Sequence, residues 1–331
     1  MNLLFTKHES KNLVLNNRLV MPPMATSKCP DGTVNQSLLD YYDEKSKGGY
    51  IGLIITEHSY VSYEGKASNG QLSISKDSDI EGLSELVNII HKNGSKVFAQ
   101  ISHAGMQAKS EVTGANAIAP SAVINPRRSE MPIPQEMTKD QIKQTIKHFV
   151  QAARRAKAAG FDGVEIHSAH AYLLNQFYSP LSNHRTDEYG GSLENRLRIH
   201  TEIIEQVRNE VGTDYPIALR LGACDYMEHG STLEDAVSAA KIFEDAGIDL
   251  LDISGGFNGY IAPNNNSQGY FSDVTEAIKK AVKIPVLLTG GIIEPETANQ
   301  LLVEGKADLI GVGRAILKDS SWSEKAFNAL K

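Results

Sequence analysis

The feature of this sequence that most constrains its fold is the alternation of short β-branched runs with longer stretches of helical periodicity. Several of the short runs are continuously apolar, as is typical of parallel strands covered on both faces. Eight strands are predicted: Arg18–Met21, Gly52–Thr56, Lys96–Ile101, Gly163–His167, Ile217–Leu221, Leu250–Ser254, Val286–Thr289 and Leu309–Val312. A chain with this alternation folds as an α/β protein.

Each predicted strand is followed by a segment with an apolar stripe, which predicts an amphipathic helix. The clearest stripe consists of Leu193, Leu197, His200, Ile204, Val207 and Val211. Similar stripes begin at Ile80, Ile142 and Leu233. We expect these helices to cover a central parallel sheet.

The connecting segments differ in length, and the difference predicts where function lies. Turns from helix to strand are short and contain glycine, whereas long segments, Ser102–Met137 and Ser168–Ser192, follow the third and fourth predicted strands. Barrels carry their active sites on the loops after the strands. We therefore expect one domain, residues 1–331, folded as a (β/α)₈ TIM barrel, with a small hairpin in Phe5–Leu15 closing its floor. A doubly wound open sheet is the alternative.

Composition excludes several classes of function. The 331 residues suffice for a barrel with insertions, and a net charge of −7 without a basic block does not favour nucleic acid. No apolar run approaches the ~18 residues that span a bilayer, and the N-terminus lacks a signal-peptide pattern, so we expect a cytoplasmic protein. Cys29 and Cys224 cannot form a disulfide framework or an iron–sulfur site on their own.

The fourth predicted strand ends in two histidines and a tyrosine. His167, His170 and Tyr172 can polarise a carbonyl group and supply a proton, so they are candidate catalytic residues. The alternative is a structural role for each of them. A metal site that adds Glu57, His58 or His103 is a further alternative, although no HExxH spacing occurs.

Glycine-rich turns after the last two predicted strands are candidate phosphate-binding loops. Gly290 and Gly291 follow one strand, and Gly313 precedes Arg314 after the next. Tight packing of the turns is the alternative. Arg220, inside an apolar strand, requires an anion or several acceptors nearby, and Gln100 either contacts a heterocycle or satisfies neighbouring backbone.

These residues together resemble the old yellow enzyme family of FMN-dependent ene-reductases. The motifs that carry the resemblance are Pro23-Met24, Gln100–Gly105, His167-x-x-His170-x-Tyr172, Ser179–Ser192, Asn195-Arg196 and Gly313-Arg314. They span nearly the whole chain, and the Ser179–Arg196 stretch is the most specific.

The resemblance implies a barrel with non-covalent FMN that is reduced by NADPH or NADH and reoxidised by an electron-poor alkene. It implies that Pro22, Pro23, Met24 and Ala25 line the isoalloxazine ring, with Gln100 at its pyrimidine edge and Arg220 near N1. Gly291, Gly313 and Arg314 would bind the phosphate. His167 and His170 would bind the substrate carbonyl oxygen, and Tyr172 would protonate the α-carbon.

Several positions depart from the bacterial branch that the chain most resembles. Ala25 replaces a common cysteine, and Ser27 replaces a tyrosine that contacts substrate in that branch, so the resemblance implies that Ser27 contacts substrate. His58 stands where a small residue is usual, so we expect it to contact the flavin or to narrow the pocket. The chain stops after the last predicted helix, without the arginine-bearing tail of some relatives, so we expect no active site shared between subunits, while homo-oligomer formation is left open.

We therefore predict an NAD(P)H oxidoreductase that reduces small α,β-unsaturated carbonyl compounds, with a small-molecule substrate and a nicotinamide cofactor as its partners and without membrane or nucleic-acid partners. Two alternatives are retained. One is a metal-dependent barrel hydrolase that uses His167 and His170, and the other is a flavin binder without catalytic activity.

Overall fold

The computed structural model describes residues 2–331, and its central element is a closed barrel of parallel strands. The strands are β1 (His8–Glu9), β2 (Val14–Leu15), β3 (Leu19–Met21), β4 (Leu53–Ile55), β5 (Ser59–Tyr60), β6 (Lys96–Ser102), β7 (Ile118–Ala119), β8 (Gln135–Glu136), β9 (Gly163–Ser168), β10 (Ile217–Cys224), β11 (Leu250–Gly255), β12 (Val286–Thr289) and β13 (Leu309–Gly311).

The helices follow the barrel strands in turn. They are α1 (Gln36–Ser46), α2 (Ile80–Lys92), α3 (Ser110–Thr113), α4 (Lys139–Ala158), α5 (Leu173–Tyr178), α6 (Leu193–Val211), α7 (Leu233–Ala246), α8 (Ser272–Lys279), α9 (Pro295–Val303), α10 (Arg314–Lys318) and α11 (Trp322–Ala329). Short 3₁₀ turns occupy Lys47–Gly49, Tyr63–Gly65, Asp77–Asp79 and Gly105–Gln107.

The barrel strands pair in the order β4-β3-β13-β12-β11-β10-β9-β6, and β6 pairs with β4 to close the ring. All of these pairings are parallel. The eight predicted strands and the (β/α)₈ barrel are therefore confirmed, and the open-sheet alternative is wrong because β4 and β6 are hydrogen-bonded. That residues 1–331 form one domain stays a prediction.

The interior of the barrel changes from apolar to polar towards the carboxyl ends of the strands. Phe98, Ala218 and Leu250 belong to an apolar cluster at the floor. Because side chains alternate along a strand, the residues two positions further on face the same interior. Those residues are Gln100, Arg220 and Asp252, so the polar groups lie above the apolar layer, towards the ends where barrel sites form.

The predicted N-terminal hairpin closes the apolar end. β1 and β2 pair antiparallel, and Leu13 and Leu15 belong to the same apolar cluster as Leu53 and Leu309 of the barrel. Burial of these side chains excludes water from the floor. The hairpin therefore leaves the opposite end of the barrel as the accessible one.

The glycines in the helix-to-strand turns adopt the left-handed backbone conformation that the sequence predicts. The glycines of three helix-to-strand turns, Gly94, Gly160 and Gly247, have φ values of +97°, +91° and +110°, which favour glycine. The long segments predicted as loops differ in part, because they contain α5 and the two-stranded ladder of β7 and β8. Within residues 2–331 no helix is long and apolar enough to span a membrane. The cytoplasmic location stays a prediction.

Candidate active site

Three aromatic rings meet just after β9, at the carboxyl end of the barrel. His167 lies near the end of β9, and His170 and Tyr172 lie between β9 and α5. The ring centre of His167 is 5.3 Å from that of His170 and 4.9 Å from that of Tyr172. The structure thus brings together the three residues predicted to be catalytic.

The backbone that carries these rings is strained. His170 and Ala171 have φ values of +58° and +60°, in the left-handed region that residues other than glycine rarely adopt. Two fully buried side chains of α5 hold this turn: Asn175 Oδ1 accepts a hydrogen bond from the Ala171 amide at 2.7 Å, and Gln176 Nε2 donates to the Ala171 carbonyl at 2.6 Å. The helix that follows therefore fixes the positions of His170 and Tyr172.

The two histidines differ in their hydrogen bonds. His170 Nε2 lies 2.7 Å from Ser254 Oγ, at the end of β11, which fixes the ring orientation. The ring of His167 is 4 % exposed, and no hydrogen bond to a described residue is made by its buried Nδ1. This ring therefore has hydrogen-bonding capacity that the described chain does not use, which is expected of a ligand-binding side chain.

The rings are uncharged at neutral pH. Burial lowers the pKa of both His167 and His170 well below the usual range, and the nearby positive charge of Arg220 acts in the same direction. Burial raises the pKa of Tyr172 to about 12. The site consequently presents neutral imidazole donors and a protonated phenol.

A buried polar layer lies beside these rings. Arg220 on β10 is in register with His167 on β9 and with Asp252 on β11. Its Nε lies 3.1 Å from Asp252 Oδ2, although the two groups are not aligned as a hydrogen bond. On the neighbouring strands Gln100 Nε2 donates to Glu165 Oε1 at 2.8 Å. The layer therefore contains one guanidinium and two buried carboxyl groups.

The charges of this layer follow from burial. Burial raises the pKa of Glu165 well above the usual range, and the carboxylate of Asp252 adds to the effect. Burial also raises the pKa of Asp252, to about 6, against the opposing influence of Arg220. We infer that at neutral pH Asp252 is the ionised partner of Arg220 and that Glu165 keeps its proton.

The two glycine-rich turns follow neighbouring strands, and other side chains approach both glycines too closely for an added side chain. A Cβ atom at Gly291, where φ is +66°, would lie 2.6 Å from the ring of Tyr270. At Gly313 it would lie 3.3 Å from Pro22 and 3.4 Å from the sulfur of Met24. These turns and the loop after β3 therefore border one cradle.

Arg314 supplies an available positive charge at this cradle. Its side chain is exposed, and its Nη2 is 3.4 Å from Tyr270 Oη. Among residues 2–331, no carboxylate forms an ion pair with it. A guanidinium beside glycine turns suits a phosphate group.

The loop after β3 is held by a buried carboxylate. Glu57 Oε2 accepts from the Thr26 amide at 3.1 Å, and Glu57 Oε1 accepts from the Thr26 hydroxyl at 2.7 Å. Ala25 and Ser27 lie on the exposed side of this loop. No hydrogen bond joins Ser27 to the three rings within the described chain, and its contact with substrate stays a prediction.

His58 lies against Tyr172. His58 Nε2 is 3.1 Å from Tyr172 Oη, and the two ring centres are 5.6 Å apart. Burial, with a smaller effect of Arg220, lowers the pKa of His58 to about 4. The sequence predicts a flavin contact or a narrowed pocket for His58, and the structure adds a partner that the sequence did not indicate.

The residues of the metal alternative are not grouped as ligands. Within residues 2–331, no three or more His, Cys, Asp or Glu side chains are placed to hold a metal ion. Glu57 is engaged with Thr26, and His103 Nδ1 accepts from the Gly105 amide at 3.0 Å. The arrangement of the histidines gives no support to a metal-dependent hydrolase.

Sequence reasoning missed several residues near the site. Glu165, Asp252 and Ser254 are buried polar side chains inside apolar strands, and their period-two spacing along β9 and β11 was the signal that could have identified them. Arg127 and Arg128 carried no such signal, because they lie in a long exposed segment.

Arg127 and Arg128 lie close enough to act on the rings. The Arg127 guanidinium donates to the Phe257 carbonyl at 3.2 Å, and its charge contributes to the lowered pKa of His170. The charge of Arg128 opposes the rise in the pKa of Tyr172. Both side chains are exposed and neither forms an ion pair with a described residue. Two exposed positive charges therefore lie near the rings, at the entrance of the site.

The fold and the site define a class of protein: a parallel barrel that holds a phosphorylated cofactor beside neutral proton donors. The glycine cradle with Arg314 fits a phosphate at one end, and the underused donors of Arg220 and Gln100 fit a polar heterocycle at the other. These features fit flavin mononucleotide.

Comparison with known proteins identifies the family. A profile of the NADH:flavin oxidoreductase / NADH oxidase family matches residues 3–331. The chain is 44 % identical over 330 residues to an NADH oxidase of Thermoanaerobacter brockii, covering 98 % of this chain and 50 % of that protein. It is 41 % identical over 332 residues to an NADPH dehydrogenase of Geobacillus thermodenitrificans, covering 99 % and 94 % respectively. The chain thus spans about half the length of the first relative.

Solved structures agree with this result. A 2-naphthoyl-CoA reductase in complex with 2-naphthoyl-CoA superposes with a TM-score of 0.94 at 29 % identity, covering 99 % of this chain and 52 % of that one. The old yellow enzyme homologue from Zymomonas mobilis gives 0.86 at 28 % identity, covering 98 % and 92 %. The chain belongs to the NADH:flavin oxidoreductase / NADH oxidase family, and the predicted membership of the old yellow enzyme family is confirmed.

Proposed function

We propose that this protein reduces the activated C=C bond of small α,β-unsaturated carbonyl compounds at the expense of NADPH or NADH. The observation that carries the proposal is the meeting of two neutral imidazoles and a protonated phenol beside the buried Arg220. Such donors favour the build-up of negative charge on a carbonyl oxygen, because they stabilise it without changing their own charge.

The cofactor would be held by the residues around the carboxyl ends of the strands. When bound, FMN would supply the hydride that reduces the substrate, and the nicotinamide would be the source of its electrons. The residues that would hold it are Pro22, Pro23, Met24, Ala25, His58, Gln100, Arg220, Gly291, Gly313 and Arg314. Arg220 would place a positive charge at the heterocycle, and Arg314 would bind the phosphate.

His167 and His170 would bind the carbonyl oxygen of the substrate. Ser254 fixes the ring of His170, and His167 Nδ1 has no hydrogen-bond partner in the described chain. One nitrogen of each ring would donate to the same carbonyl oxygen. Hydrogen bonds from both rings would stabilise the enolate-like charge on that oxygen in the transition state.

Tyr172 would then supply a proton to the α-carbon. Its phenol keeps the proton at neutral pH, since burial raises its pKa to about 12. A carbanion-like carbon is basic enough to take this proton, and a positioned donor of this kind contributes ~10²-fold or more to a rate.

A second substrate class, unsaturated acyl thioesters with an anionic tail, is favoured by one observation. Arg127 and Arg128 are exposed, form no ion pair within residues 2–331, and lie near the rings. Two guanidinium groups at the entrance suit phosphate or carboxylate groups that extend beyond the reacting carbonyl. The structural neighbour crystallised with 2-naphthoyl-CoA has a ligand of this kind.

The test begins with the visible absorption spectrum of the purified protein, before and after denaturation. We expect an oxidised-flavin spectrum and a chromophore that is released on denaturation. Anaerobic reduction by NADPH or NADH, followed by mixing with 2-cyclohexenone or an enoyl thioester, should give reoxidation and a saturated product. Bound flavin that no alkene reoxidises would identify a non-catalytic binder, and a colourless protein that does not take up FMN would overturn the proposal.

A further inference from the structure

The hydroxyl group of Tyr172 has one side-chain partner in the described chain, which is His58. The Oη–Nε2 distance is 3.1 Å, and the rings meet edge to face at an angle of 68°. Both residues are partly exposed although their neighbours are buried. The hydrogen bond therefore borders the accessible space of the site rather than the packed interior.

The position of His58 is set by its backbone and not by a carboxylate. Its carbonyl oxygen accepts a hydrogen bond from Gln71 Nε2 at 3.0 Å. The adjacent Glu57 is directed to Thr26, so it does not pair with the imidazole. Tyr172 forms a hydrogen bond with the imidazole, and the charge of Arg220 contributes to its lowered pKa. His167 and His170 are near enough for a charge on His58 to affect their pKa values.

The His58 ring is neutral over the physiological range, because burial lowers its pKa to about 4. A neutral imidazole carries a donor on one nitrogen and an acceptor on the other. His58 Nδ1 makes no hydrogen bond with a described residue, and the side chain is partly exposed, so we expect this nitrogen to exchange a proton with solvent. The ring thus has the properties of a relay between solvent and Tyr172.

We propose that His58 is a positioning residue for Tyr172: its Nε2–H donates to Oη, directs the hydroxyl proton into the site, and restores that proton after it has been used. The inference rests on the proposed function, in which Tyr172 protonates the substrate. It assigns to His58 a role in proton supply that is separate from contact with the cofactor.

The proton balance is simple. The O–H bond of Tyr172 breaks as a C–H bond forms at the α-carbon, which leaves a phenolate that the Nε2–H bond of His58 stabilises. The Nε2–H bond then breaks as the O–H bond re-forms, and Nδ1 gains a proton from water. Exchange of the ring protons with water afterwards moves the proton from Nδ1 back to Nε2, which restores the starting tautomer. The net change is one proton taken from solvent, with no change in oxidation state of the residues.

The test compares His58→Ala and His58→Gln with Tyr172→Phe in the flavin-loaded protein. We expect His58→Ala to slow the anaerobic reaction of the reduced enzyme with 2-cyclohexenone about tenfold, the effect of one hydrogen bond to a charged group. Reoxidation by ferricyanide, which needs no proton on carbon, should slow by a clearly smaller factor, because it reports only a change in contact with the cofactor. Added imidazole should restore part of the rate of His58→Ala but not that of Tyr172→Phe.

The double variant separates a specific role from general disturbance of the site. Because His58 acts through Tyr172, His58→Ala should cause no further loss in a Tyr172→Phe background. Histidine-selective ¹⁵N NMR gives a readout other than turnover: the Nε2 resonance that His58→Gln removes should shift in Tyr172→Phe. His91→Gln is the matched control, since His91 pairs with Asp162 at the opposite end of the barrel.

Two outcomes would overturn the inference: equal slowing with 2-cyclohexenone and ferricyanide, or additive losses in the double variant. Either outcome would mean that His58 contributes only through packing or through contact with the cofactor. A Tyr172→Phe variant with unchanged enone reduction would instead contradict the proton donor of the proposed function. The failures of the two proposals are thus distinguishable.

Discussion

Arg220 and Asp252 lie in register on neighbouring strands, with Arg220 Nε 3.1 Å from Asp252 Oδ2 inside the barrel. Glu165 is a second fully buried carboxyl group near the same guanidinium. Burial and the carboxylate of Asp252 raise the pKa of Glu165 well above its usual range, and Glu165 Oε1 accepts a hydrogen bond from the Gln100 amide. The layer thus keeps Arg220 available to a cofactor while the total charge in the barrel stays low.

If Glu165 is neutral, glutamine should replace it with little change in the free energy of unfolding. We expect Glu165→Gln to stay within about 1 kcal/mol of the parent free energy of unfolding. Glu165→Ala should cost about 2–4 kcal/mol, because it opens a cavity and leaves the Gln100 amide unpaired. Urea denaturation at pH 7 with saturating FMN measures both. Equal destabilisation by the two variants would show that Glu165 is ionised in the fold.

Asp252 should make stability depend on pH. Its pKa is raised to about 6 in the fold, whereas an aspartate in an unfolded chain titrates near ~3.9. The folded state therefore holds the proton more tightly, so this contribution is fully present below about pH 4 and is lost as the pH rises through about 6. The loss should be smaller in Asp252→Asn, as followed by urea denaturation between pH 4 and 7.5. A steeper loss of unfolding free energy with rising pH in Asp252→Asn would contradict a raised pKa for Asp252 in the fold.

His167, His170 and Tyr172 should affect reduction of the enone and not reduction of the flavin by the nicotinamide. His167→Ala combined with His170→Ala should reduce the rate of enone reduction by the reduced enzyme at least ~10²-fold, since both donors to the carbonyl oxygen are removed. Tyr172→Phe should give a similar loss with substrates that need protonation. Stopped-flow spectroscopy measures flavin reduction by NADPH separately, and an equal loss in that step would contradict the assigned roles.

The phosphate cradle should be sensitive to one methyl group. A Cβ at Gly291 meets Tyr270 and also requires a left-handed backbone, so Gly291→Ala should weaken FMN binding at least ~10-fold. Arg314→Ala should weaken it by a similar factor through loss of a charge-assisted hydrogen bond. Flavin fluorescence titration measures both. Gly212→Ala is the control, because Gly212 shares the positive φ of +86° without a neighbour within 4 Å.

The two arginines at the entrance should distinguish the substrate classes. Replacement of Arg127 and Arg128 by serine should raise the KM for an enoyl thioester with a phosphorylated tail about tenfold and leave that for 2-cyclohexenone within twofold. The effect should decrease at high salt, because exposed charges are screened. Lys241→Ser, an exposed lysine on α7, serves as the control. An equal change for both substrates would remove the reason for favouring thioesters.

Much of the barrel could be predicted from local patterns. The run Val286–Thr289 matches β12 at both ends, because four apolar or β-branched residues between a proline and two glycines can form little else. The long segments were less predictable. β7 and β8 are two residues each and are held by hydrogen bonds between distant chain segments, such as that from the Gln135 amide to the Ala117 carbonyl.

Local sequence patterns are sufficient to predict the alternation of strands and helices and the grouping of His167, His170 and Tyr172, since these three lie within six residues at one strand end. Which distant side chains meet them could be seen only in the folded barrel. The Tyr172–His58 contact joins residues 114 positions apart, and the Gln100–Glu165 bond joins residues 65 apart. Strand order and register set these pairs, and burial then sets their protonation, because both depend on how the barrel closes and not on local spacing.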